Sequence, residues 1–222
     1  MIITIDGPAG SGKSTAARKL AARLGIAYLD TGAMYRAIAM AALQKCIDLK
    51  DEKALIRVAR EAVVDVDCGP THTRVMLNGA DVSEAIRSMA VNQATSYVAR
   101  IADIRRMLVE KQRAIGRHLG SLVTEGRDQG SVVFPDADIK FFLDATLERR
   151  AMRRYQELMA DGEDASYEQI VENLRQRDGN DRCQWAPLLE PRTAIHIDTT
   201  QMTIQEVIER LLGEIRQRHL CD

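Results

Sequence analysis

The sequence predicts an α/β fold, a doubly wound core with a parallel sheet that two excursions interrupt. Three observations support this prediction. The apolar run 2–5 leads through a glycine-rich turn into a helical pattern. The runs 122–125 and 139–144 are typical of buried parallel strands. Helical patterns lie between these runs, as parallel strands need crossover connections.

Composition limits the possible functions. The 222 residues are 45% hydrophobic, which suits one large domain with insertions. A net charge of -1 and only 4% aromatic residues argue against a general nucleic-acid binder. No apolar stretch reaches about eighteen residues, and no secretion signal precedes the first strand. The cysteines form no C-x-x-C pair, so we expect a cytoplasmic protein without a zinc cluster or disulfides; they are Cys46, Cys68, Cys183 and Cys221.

The N-terminal glycine-rich turn has the spacing of a Walker A loop: Gly7, four residues, then Gly12-Lys13-Ser14. Glycines let backbone amides approach an anion, and the following helix directs its positive end at the same place. Lys13 is predicted to contact the outer phosphates of ATP and Ser14 to bind Mg²⁺. A structural glycine turn would not require the whole spacing. The predicted ATP site comprises Gly7, Pro8, Ala9, Gly10, Ser11, Gly12, Lys13, Ser14 and Thr15.

The first half of the chain continues with a helix that Gly25 closes, a strand at 26–29, and a turn from Asp30 to Arg36 that opens another helix. From about Lys50 the pattern changes, and a first excursion from the core begins. It is predicted to contain a helix, a small antiparallel insert within residues 64–79, and two helices near 89–98 and 102–118.

The second half returns to the parallel pattern and then leaves it once more. Residues 147–182 form a charged helical segment, broken at 161–164, that suits a mobile lid. A last strand is predicted at 194–198. Thr203 and Glu206 form a capping box before a strongly amphipathic final helix.

Arginines are the informative residues outside the loop, since planar guanidinium groups suit phosphate contacts. For any single one, a solvated charge or a weak ion pair is the simpler interpretation. The cluster in the second excursion fits either a charged helix face or a lid that carries charge onto the phosphates. The arginines near the carboxyl edge or the excursions are Arg36, Arg105, Arg127, Arg177 and Arg182, and the cluster is Arg149, Arg150, Arg153 and Arg154.

The chain shows no obvious catalytic base, and neither guanine-nucleotide switch motifs nor a protein-kinase catalytic loop are found. A hydroxyl acceptor must lose a proton, whereas a phosphate acceptor already presents an anionic oxygen. The arginines therefore favour nucleoside monophosphate kinase chemistry. Asp30 or Asp128 acting as base for a small alcohol remains an alternative.

The chain resembles the bacterial cytidylate kinases over nearly its full length, most specifically in the segments 29–36 and 125–137. The resemblance implies a P-loop kinase core with a five-stranded parallel sheet flanked by helices (1–36, 119–146 and 183–222), a monophosphate-binding insert with a small antiparallel sheet (37–118) and a helical lid (147–182). It also implies direct phosphoryl transfer from MgATP to CMP and dCMP, in a monomer without nucleic-acid or membrane partners.

The resemblance also assigns roles to individual side chains. It implies that Arg36, Arg127 and Arg177 hold the CMP phosphate, while Ser96, Arg105 and Asp128 read the cytosine edge. Asp181 is expected to bind the sugar hydroxyls, and Thr31 and Tyr35 belong to the matched turn of the CMP site. The expected catalytic residues are Lys13, Arg150, Arg153 and Arg154.

The chain departs from the family pattern in the segment that precedes residue 186. An arginine expected shortly before Ala186-Pro187-Leu188 is missing, and Gln184 stands in its place. We expect Arg182 to supply the missing charge. Two other functions remain possible from sequence: a P-loop kinase for another small acceptor such as UMP, or an ATP-binding regulatory protein without catalysis.

Overall fold

The computed structural model describes residues 1–160, 162, 165–185 and 193–218, with side chains from 182 to 185 excepted. In these residues the strands, in chain order, are β1 (Ile2–Asp6), β2 (Ala27–Asp30), β3 (Val64–Cys68), β4 (Thr73–Leu77), β5 (Ala80–Asp81), β6 (Leu122–Gly126), β7 (Ile139–Asp144) and β8 (Ile195–Asp198). The helices are α1 (Lys13–Leu24), α2 (Thr31–Gln44), α3 (Glu52–Glu61), α4 (Met89–Ala99), α5 (Ala102–Leu119), α6 (Leu147–Ala160), α7 (Tyr167–Trp185) and α8 (Ile204–Gln217).

The predicted parallel core is confirmed. Five strands pair in the order β2-β6-β1-β7-β8, and every neighbouring pair is parallel. All five carboxyl ends therefore meet at one edge, where ligands bind in open α/β sheets. The loop that joins β1 to α1 lies at this edge, beside the ends of β6 and β7.

Helices cover both faces of the sheet and bury two apolar layers. One layer joins α1 and α8 to the strands, with Ile3, Ile5 and Phe141 fully buried. The other joins α2, α4 and α5 around residues such as Met34 and Ile104. The predicted capping box at the start of α8 is present, and it satisfies two backbone amides that the first helical turn leaves unpaired.

The predicted antiparallel insert is also confirmed, as a sheet of order β3-β4-β5. Its β3–β4 connection docks on β2, the edge strand of the core. The hydroxyl of Thr73 donates to the carbonyl of Tyr28 (2.7 Å) and accepts the backbone N–H of Asp30 (3.1 Å), while the N–H of Tyr28 donates to the carbonyl of Gly69 (3.0 Å). The insert thus occupies hydrogen-bonding groups of an edge that would otherwise be open.

The charged segment after β7 forms a hairpin of α6 and α7, here called the α6–α7 hairpin. Although this segment is strongly charged, Ala151, Leu158, Ile170 and Leu174 form a buried apolar cluster within it. Ala9 of the glycine-rich loop belongs to the same cluster, so the hairpin packs directly on the loop. None of the helices in the described part of the chain combines the length and hydropathy that a membrane span requires.

Candidate active site

The glycine-rich loop, residues 7–12, connects the end of β1 to the N-terminus of α1. Gly7 is required by close packing, because a Cβ there would lie 2.1 Å from the carbonyl oxygen of Leu143 on β7. The ammonium group of Lys13 donates to the carbonyl of Pro8 at 3.2 Å, which folds the lysine back over the loop. The hydroxyl of Ser11 is buried and has no partner among the described residues. The loop thus offers amides, a hydroxyl and an ammonium group to an anion.

Positive charge accumulates around Lys13. Burial lowers the pKa of Lys13 to about 7, and the guanidinium groups of Arg127 and Arg177 lower it further, while Glu125 acts in the opposite direction. A cluster of like charges is costly, but a polyanion bound in the loop would reverse that cost. The electrostatics of this cleft therefore suit a phosphate-bearing ligand.

Glu125, near the end of β6, is a site residue that the sequence reasoning missed. Its carboxylate accepts the hydroxyl proton of Ser14 at 2.8 Å, and its side chain is buried beside Lys13. Burial and the nearby Asp30 raise the pKa of Glu125, whereas Lys13 and Ser14 lower it. A hydroxyl and a carboxylate are the oxygen donors that Mg²⁺ prefers, so the residues present fit the predicted ion. Its position directly after a buried strand was the available signal.

Arg36 on α2 is held by an acid at the end of the neighbouring strand. Its guanidinium donates to Asp30 at 2.8 Å, and Asp30 also caps α2 by accepting the N–H of Ala33 at 2.9 Å. Arg87 lies 3.9 Å from the same carboxylate. The Nε–H of Arg36 is buried and has no hydrogen-bond partner among the described residues. One donor of Arg36 is thus preserved for a ligand.

Arg127, which follows β6, pairs with Asp181 of α7 at 2.8 Å. Arg177 lies one turn before Asp181 on α7. Desolvation by the surrounding protein lowers the pKa of Arg177 to about 10, and Arg127 lowers it next, while Asp181 opposes them. The structure therefore brings Arg127, Arg177 and Asp181 together near Lys13.

Arg105 of α5 and Asp128, which follows β6, form a salt bridge that is largely shielded from solvent. Burial raises the pKa of Asp128, and Arg105 counteracts this effect. The hydroxyl of Tyr35 belongs to the same environment, because burial and Asp128 raise its pKa whereas Arg105 lowers it. These three side chains form a pocket wall that can both donate and accept hydrogen bonds.

Three other side chains from the predicted CMP site have different surroundings. The hydroxyl of Thr31 is buried and donates to the carbonyl of Glu125 at 2.7 Å. Ser96 is exposed on α4 and its hydroxyl donates to the carbonyl of Gln93 at 3.0 Å. Arg182 lies in α7, but its side chain is outside the described residues, as is that of Gln184, and the motif at 186–188 lies outside them entirely.

Two arginines of α6 donate hydrogen bonds to carbonyl oxygens of the glycine-rich loop. Arg150 is buried, donates to the carbonyl of Ala9 at 2.9 Å, and forms a bidentate pair with Asp178 of α7 at 3.1 and 2.6 Å. Arg153 donates to the carbonyls of Ser11 at 3.2 Å and Thr199 at 2.6 Å.

Arg154, in contrast, is half exposed and pairs with Glu157 on its own helix at 3.2 Å. Of the two interpretations that the sequence left open for this cluster, the intrahelical pair describes Arg154. Arg150 and Arg153 instead donate to carbonyls of the glycine-rich loop, and their contact with the phosphates stays a prediction.

Comparison with known proteins agrees with this site. A sequence model of the cytidylate kinase family, described as "Cytidylate kinase", matches residues 3–217. A cytidylate kinase of Caldanaerobacter subterraneus subsp. tengcongensis is 48% identical, over 97% of this chain and 94% of the relative. One of Clostridioides difficile is 43% identical, over 97% and 98%.

The solved structures resemble the chain in fold. A shikimate kinase from Bacteroides thetaiotaomicron covers 97% of this chain and 98% of its own, with a TM-score of 0.50 at 10% identity. That likeness concerns the architecture alone, whereas the family match spans both the phosphate loop and the arginine-lined cleft. From the loop, the cleft and a match over almost its entire length, we conclude that the chain belongs to the cytidylate kinase family.

Proposed function

We propose that this enzyme transfers the γ-phosphoryl group of ATP to CMP and dCMP, producing ADP with CDP or dCDP. One observation carries the proposal. The phosphate loop with Lys13 and the acid-paired arginines Arg36, Arg127 and Arg105 all meet at the carboxyl edge of a single parallel sheet. Two phosphate-bearing ligands can therefore face each other across this edge.

On the donor side, the loop amides and Lys13 would bind the triphosphate of ATP. Ser14 and Glu125 would hold Mg²⁺, which supplies neutralisation of the charge on the transferring phosphoryl group when bound. The ammonium group of Lys13 would leave the carbonyl of Pro8 and contact the outer phosphates. Because the phosphates are anionic, their arrival would raise the pKa of Lys13 from its lowered value and keep it charged.

On the acceptor side, binding of CMP would exchange acid partners for phosphate. Arg36 and Arg127 are oriented by Asp30 and Asp181, so little conformational entropy is lost when they turn to a phosphate. Release of Asp181 from Arg127 would free its carboxylate to accept hydrogen bonds from the sugar hydroxyls. Arg177 would add a third charge to the phosphate.

The base would be read by the pair Arg105 and Asp128. Cytosine presents a carbonyl oxygen that accepts from a guanidinium group and an amino group that donates to a carboxylate. Uracil presents a carbonyl where cytosine has its amino group, so a carboxylate at that position disfavours it. Hydrogen bonds of this kind discriminate strongly when the pocket is shielded from water.

The chemical step needs positioning and charge neutralisation rather than a base. The acceptor phosphate already carries an anionic oxygen, which attacks the γ-phosphorus in line while ADP leaves. Lys13 and the arginines neutralise the charge that spreads over the transferring oxygens. Closure of the α6–α7 hairpin would keep water from competing as acceptor, as proposed for a lid.

A direct test is ADP release with MgATP against a panel of CMP, dCMP, UMP, AMP and GMP. We expect the two cytosine nucleotides to be preferred in kcat/KM. Equal rates for all five acceptors would reject base reading, and preference for a small alcohol over all of them would reject the proposed acceptor class. Absence of ADP release with every acceptor would favour the non-catalytic alternative.

Replacement of Lys13 by Ala tests whether turnover belongs to this loop. We expect kcat for CMP to fall about a hundredfold or more, because a pre-aligned charge on the transferring group is lost. The melting temperature should change little or rise, since Lys13 is a buried charge among other positive charges. Lys19→Ala, an exposed change on α1, is the matched control and should retain wild-type rates. Near-normal turnover of Lys13→Ala would contradict the assignment.

The remaining expectations belong to the same proposal. We assign the core to 1–36, 119–146 and 183–222, the monophosphate-binding domain to 37–118 and the lid to 147–182, in a cytoplasmic monomer of pyrimidine nucleotide metabolism. The family match and the small antiparallel sheet within 64–81 support this division.

A further inference from the structure

A layer of buried polar side chains lies beneath the Arg105–Asp128 pair, and the proposed reaction does not use it. The layer consists of Thr4 on β1, Thr124 on β6, Gln129 after β6 and Gln112 on α5, each with at most 1% of its surface exposed. Thr4 and Thr124 are register neighbours in the parallel sheet. Burying polar groups between a sheet and a helix costs stability relative to apolar packing. Their presence therefore calls for a role in geometry.

Gln129 is the centre of this layer. Its side-chain oxygen accepts the hydroxyl proton of Thr124 (3.0 Å), and its side-chain nitrogen donates to the amide oxygen of Gln112 (3.2 Å). The backbone N–H groups of Gln129 and Gly130 donate to the carboxylate of Asp6 at 2.9 and 2.8 Å. Gly126 makes room, since a Cβ there would lie 2.9 Å from Cγ of Gln129. Gln129 is thus fixed by both its backbone and its side chain.

Two neighbouring side-chain pairs therefore join the turn after β6 to α5, in addition to the hydrogen bonds that Arg113 donates to the carbonyls of Val132 and Val133. The first is Asp128 with Arg105, and the second is Gln129 with Gln112. Asp128 and Gln129 are consecutive, while Arg105 and Gln112 are seven residues apart and share one side of α5. A cytosine between Arg105 and Asp128 must open the first contact. The second contact is fully buried and can stay closed while the first one opens.

We propose that the Gln112–Gln129 pair is a positioning device that sets the separation of Arg105 from Asp128 and so determines the preference for cytosine over uracil. The inference rests on the proposed function. If the second contact is lost, the part of α5 before Arg113 can shift relative to the turn, and Arg105 and Asp128 no longer match the width of the base. Discrimination would suffer more than phosphoryl transfer, because Lys13 and the phosphate-binding arginines do not depend on this contact.

The test is the variant Gln112→Met, which keeps a long unbranched side chain and a good helix former but removes the acceptor for Gln129. We expect the ratio of kcat/KM for CMP to that for UMP to fall roughly tenfold, as for the loss of one aligned hydrogen bond. The change should lie in KM for CMP, with kcat at saturation and KM for ATP near their wild-type values. A purely structural defect would lower the yield of active enzyme and leave this ratio unchanged.

Two further variants make the result specific. Leu108→Ala removes apolar packing one turn before Gln112 on the same side of α5 but leaves the Gln112–Gln129 hydrogen bond in place, so it should lower the melting temperature yet keep the wild-type ratio. Thr124→Val keeps the shape of the strand residue but removes the donor to Gln129, and it should lower the ratio in the same direction. Thr124→Val decides the question if Gln112→Met does not fold.

Each outcome bears on the proposal. An unchanged CMP to UMP ratio in the folded Gln112→Met or Thr124→Val enzyme would overturn it, as would an equal fall in Leu108→Ala, which would indicate general loosening. A wild-type enzyme that does not prefer CMP would overturn the proposed function and this inference together. A wild-type preference that the variants retain would overturn only the inference.

Discussion

Acid partners hold three arginines of the cleft. Asp30, Asp128 and Asp181 each accept from a guanidinium group that the proposed function assigns to the nucleotide. The pairs neutralise charge that would otherwise repel, since after desolvation the neighbouring Arg127 is the next cause that lowers the pKa of Arg177, and Asp181 opposes it. They also orient each donor before a ligand arrives. The acids therefore orient the arginines that are proposed to bind CMP. Only Asp128 and Asp181 were predicted to contact CMP directly.

Asp128→Asn tests the acid that is proposed to select the base. An amide presents both a donor and an acceptor, so it can face either cytosine or uracil. We expect kcat/KM for CMP to fall about tenfold to a hundredfold while that for UMP changes less. Steady-state kinetics with both nucleotides measure the change. Asp103→Asn, which removes an exposed acid on α5, is the control and should keep the wild-type ratio.

If Asp128→Asn kept the full preference for CMP, another group would have to read the amino position. A loss of activity with every nucleotide would instead indicate that the variant disturbs the site as a whole, because Arg105 would be left without its acid partner.

The phosphate loop and the α6–α7 hairpin form one packed unit. Ala9 lies in the apolar cluster of the hairpin, and a Cβ on Gly10 would lie 3.1 Å from Cβ of Arg150. Arg150 joins both helices to the loop, through Asp178 on one side and the carbonyl of Ala9 on the other. The hairpin therefore contributes to the shape of the loop before any nucleotide binds.

Asp178→Asn is expected to loosen this unit. Removing one partner of a bidentate pair leaves the buried guanidinium of Arg150 less satisfied, which costs about 2 kcal/mol or more. We expect a lower melting temperature and a higher KM for ATP, with KM for CMP less affected. Thermal unfolding and initial rates measure both effects.

Glu172→Gln supplies the matched control on the same helix. Glu172 pairs with Arg175 at the surface, where an ion pair contributes at most about 0.5 kcal/mol. An Asp178→Asn enzyme with the stability and ATP affinity of this control would show that the Arg150 pair does not shape the loop.

The parallel sheet gathers carboxylates as well as ligand-binding groups at one edge. Each of its strands carries an acid at or next to its carboxyl end, namely Asp6, Asp30, Glu125, Asp144 and Asp198. Asp30 and Glu125 are register neighbours, and Asp30 helps to raise the pKa of Glu125. These acids lie at the same edge as the positively charged side chains of the loop and the cleft. The stability of the chain is therefore coupled to protonation of this edge.

Asp6 makes this coupling measurable. Burial raises its pKa from 3.8 to about 7, despite the two backbone N–H groups that it accepts. A raised pKa means that the folded state holds a proton that the unfolded state releases, so the contribution is complete below about pH 4 and is lost as the pH rises towards 7. A shift of this size corresponds to about 4 kcal/mol.

We expect the free energy of unfolding of the wild type, relative to that of Asp6→Asn, to decrease between pH 4 and pH 7. Urea unfolding of both proteins at several pH values measures the difference. Asp48→Asn, at an exposed site far from the sheet edge, should show no such pH-dependent difference from the wild type. A constant difference between wild type and Asp6→Asn would mean that Asp6 is ionised throughout this range.

The sequence by itself determined the elements, the phosphate loop and the family, because these depend on local patterns. The predicted strand at 139–144 has the bounds of β7, and Gly25 and Thr203 mark helix ends as expected. The resemblance located the arginines by their motifs, and the structure brings Arg127 and Arg177 within electrostatic range of Lys13.

Only the tertiary structure decided the long-range partners, such as Asp181 for Arg127 and Asp178 for Arg150, because these contacts join positions remote in sequence. Asp6 and Gln129 lie 123 residues apart, and Arg150 and Ala9 lie 141 apart, so no periodicity or spacing connects them. A side chain such as Gln112 reads as an ordinary polar residue of a helix until the sheet and the turn after β6 bury it. Packing converts such residues into parts of the site, since a hydrogen bond shielded from water depends on three-dimensional placement alone.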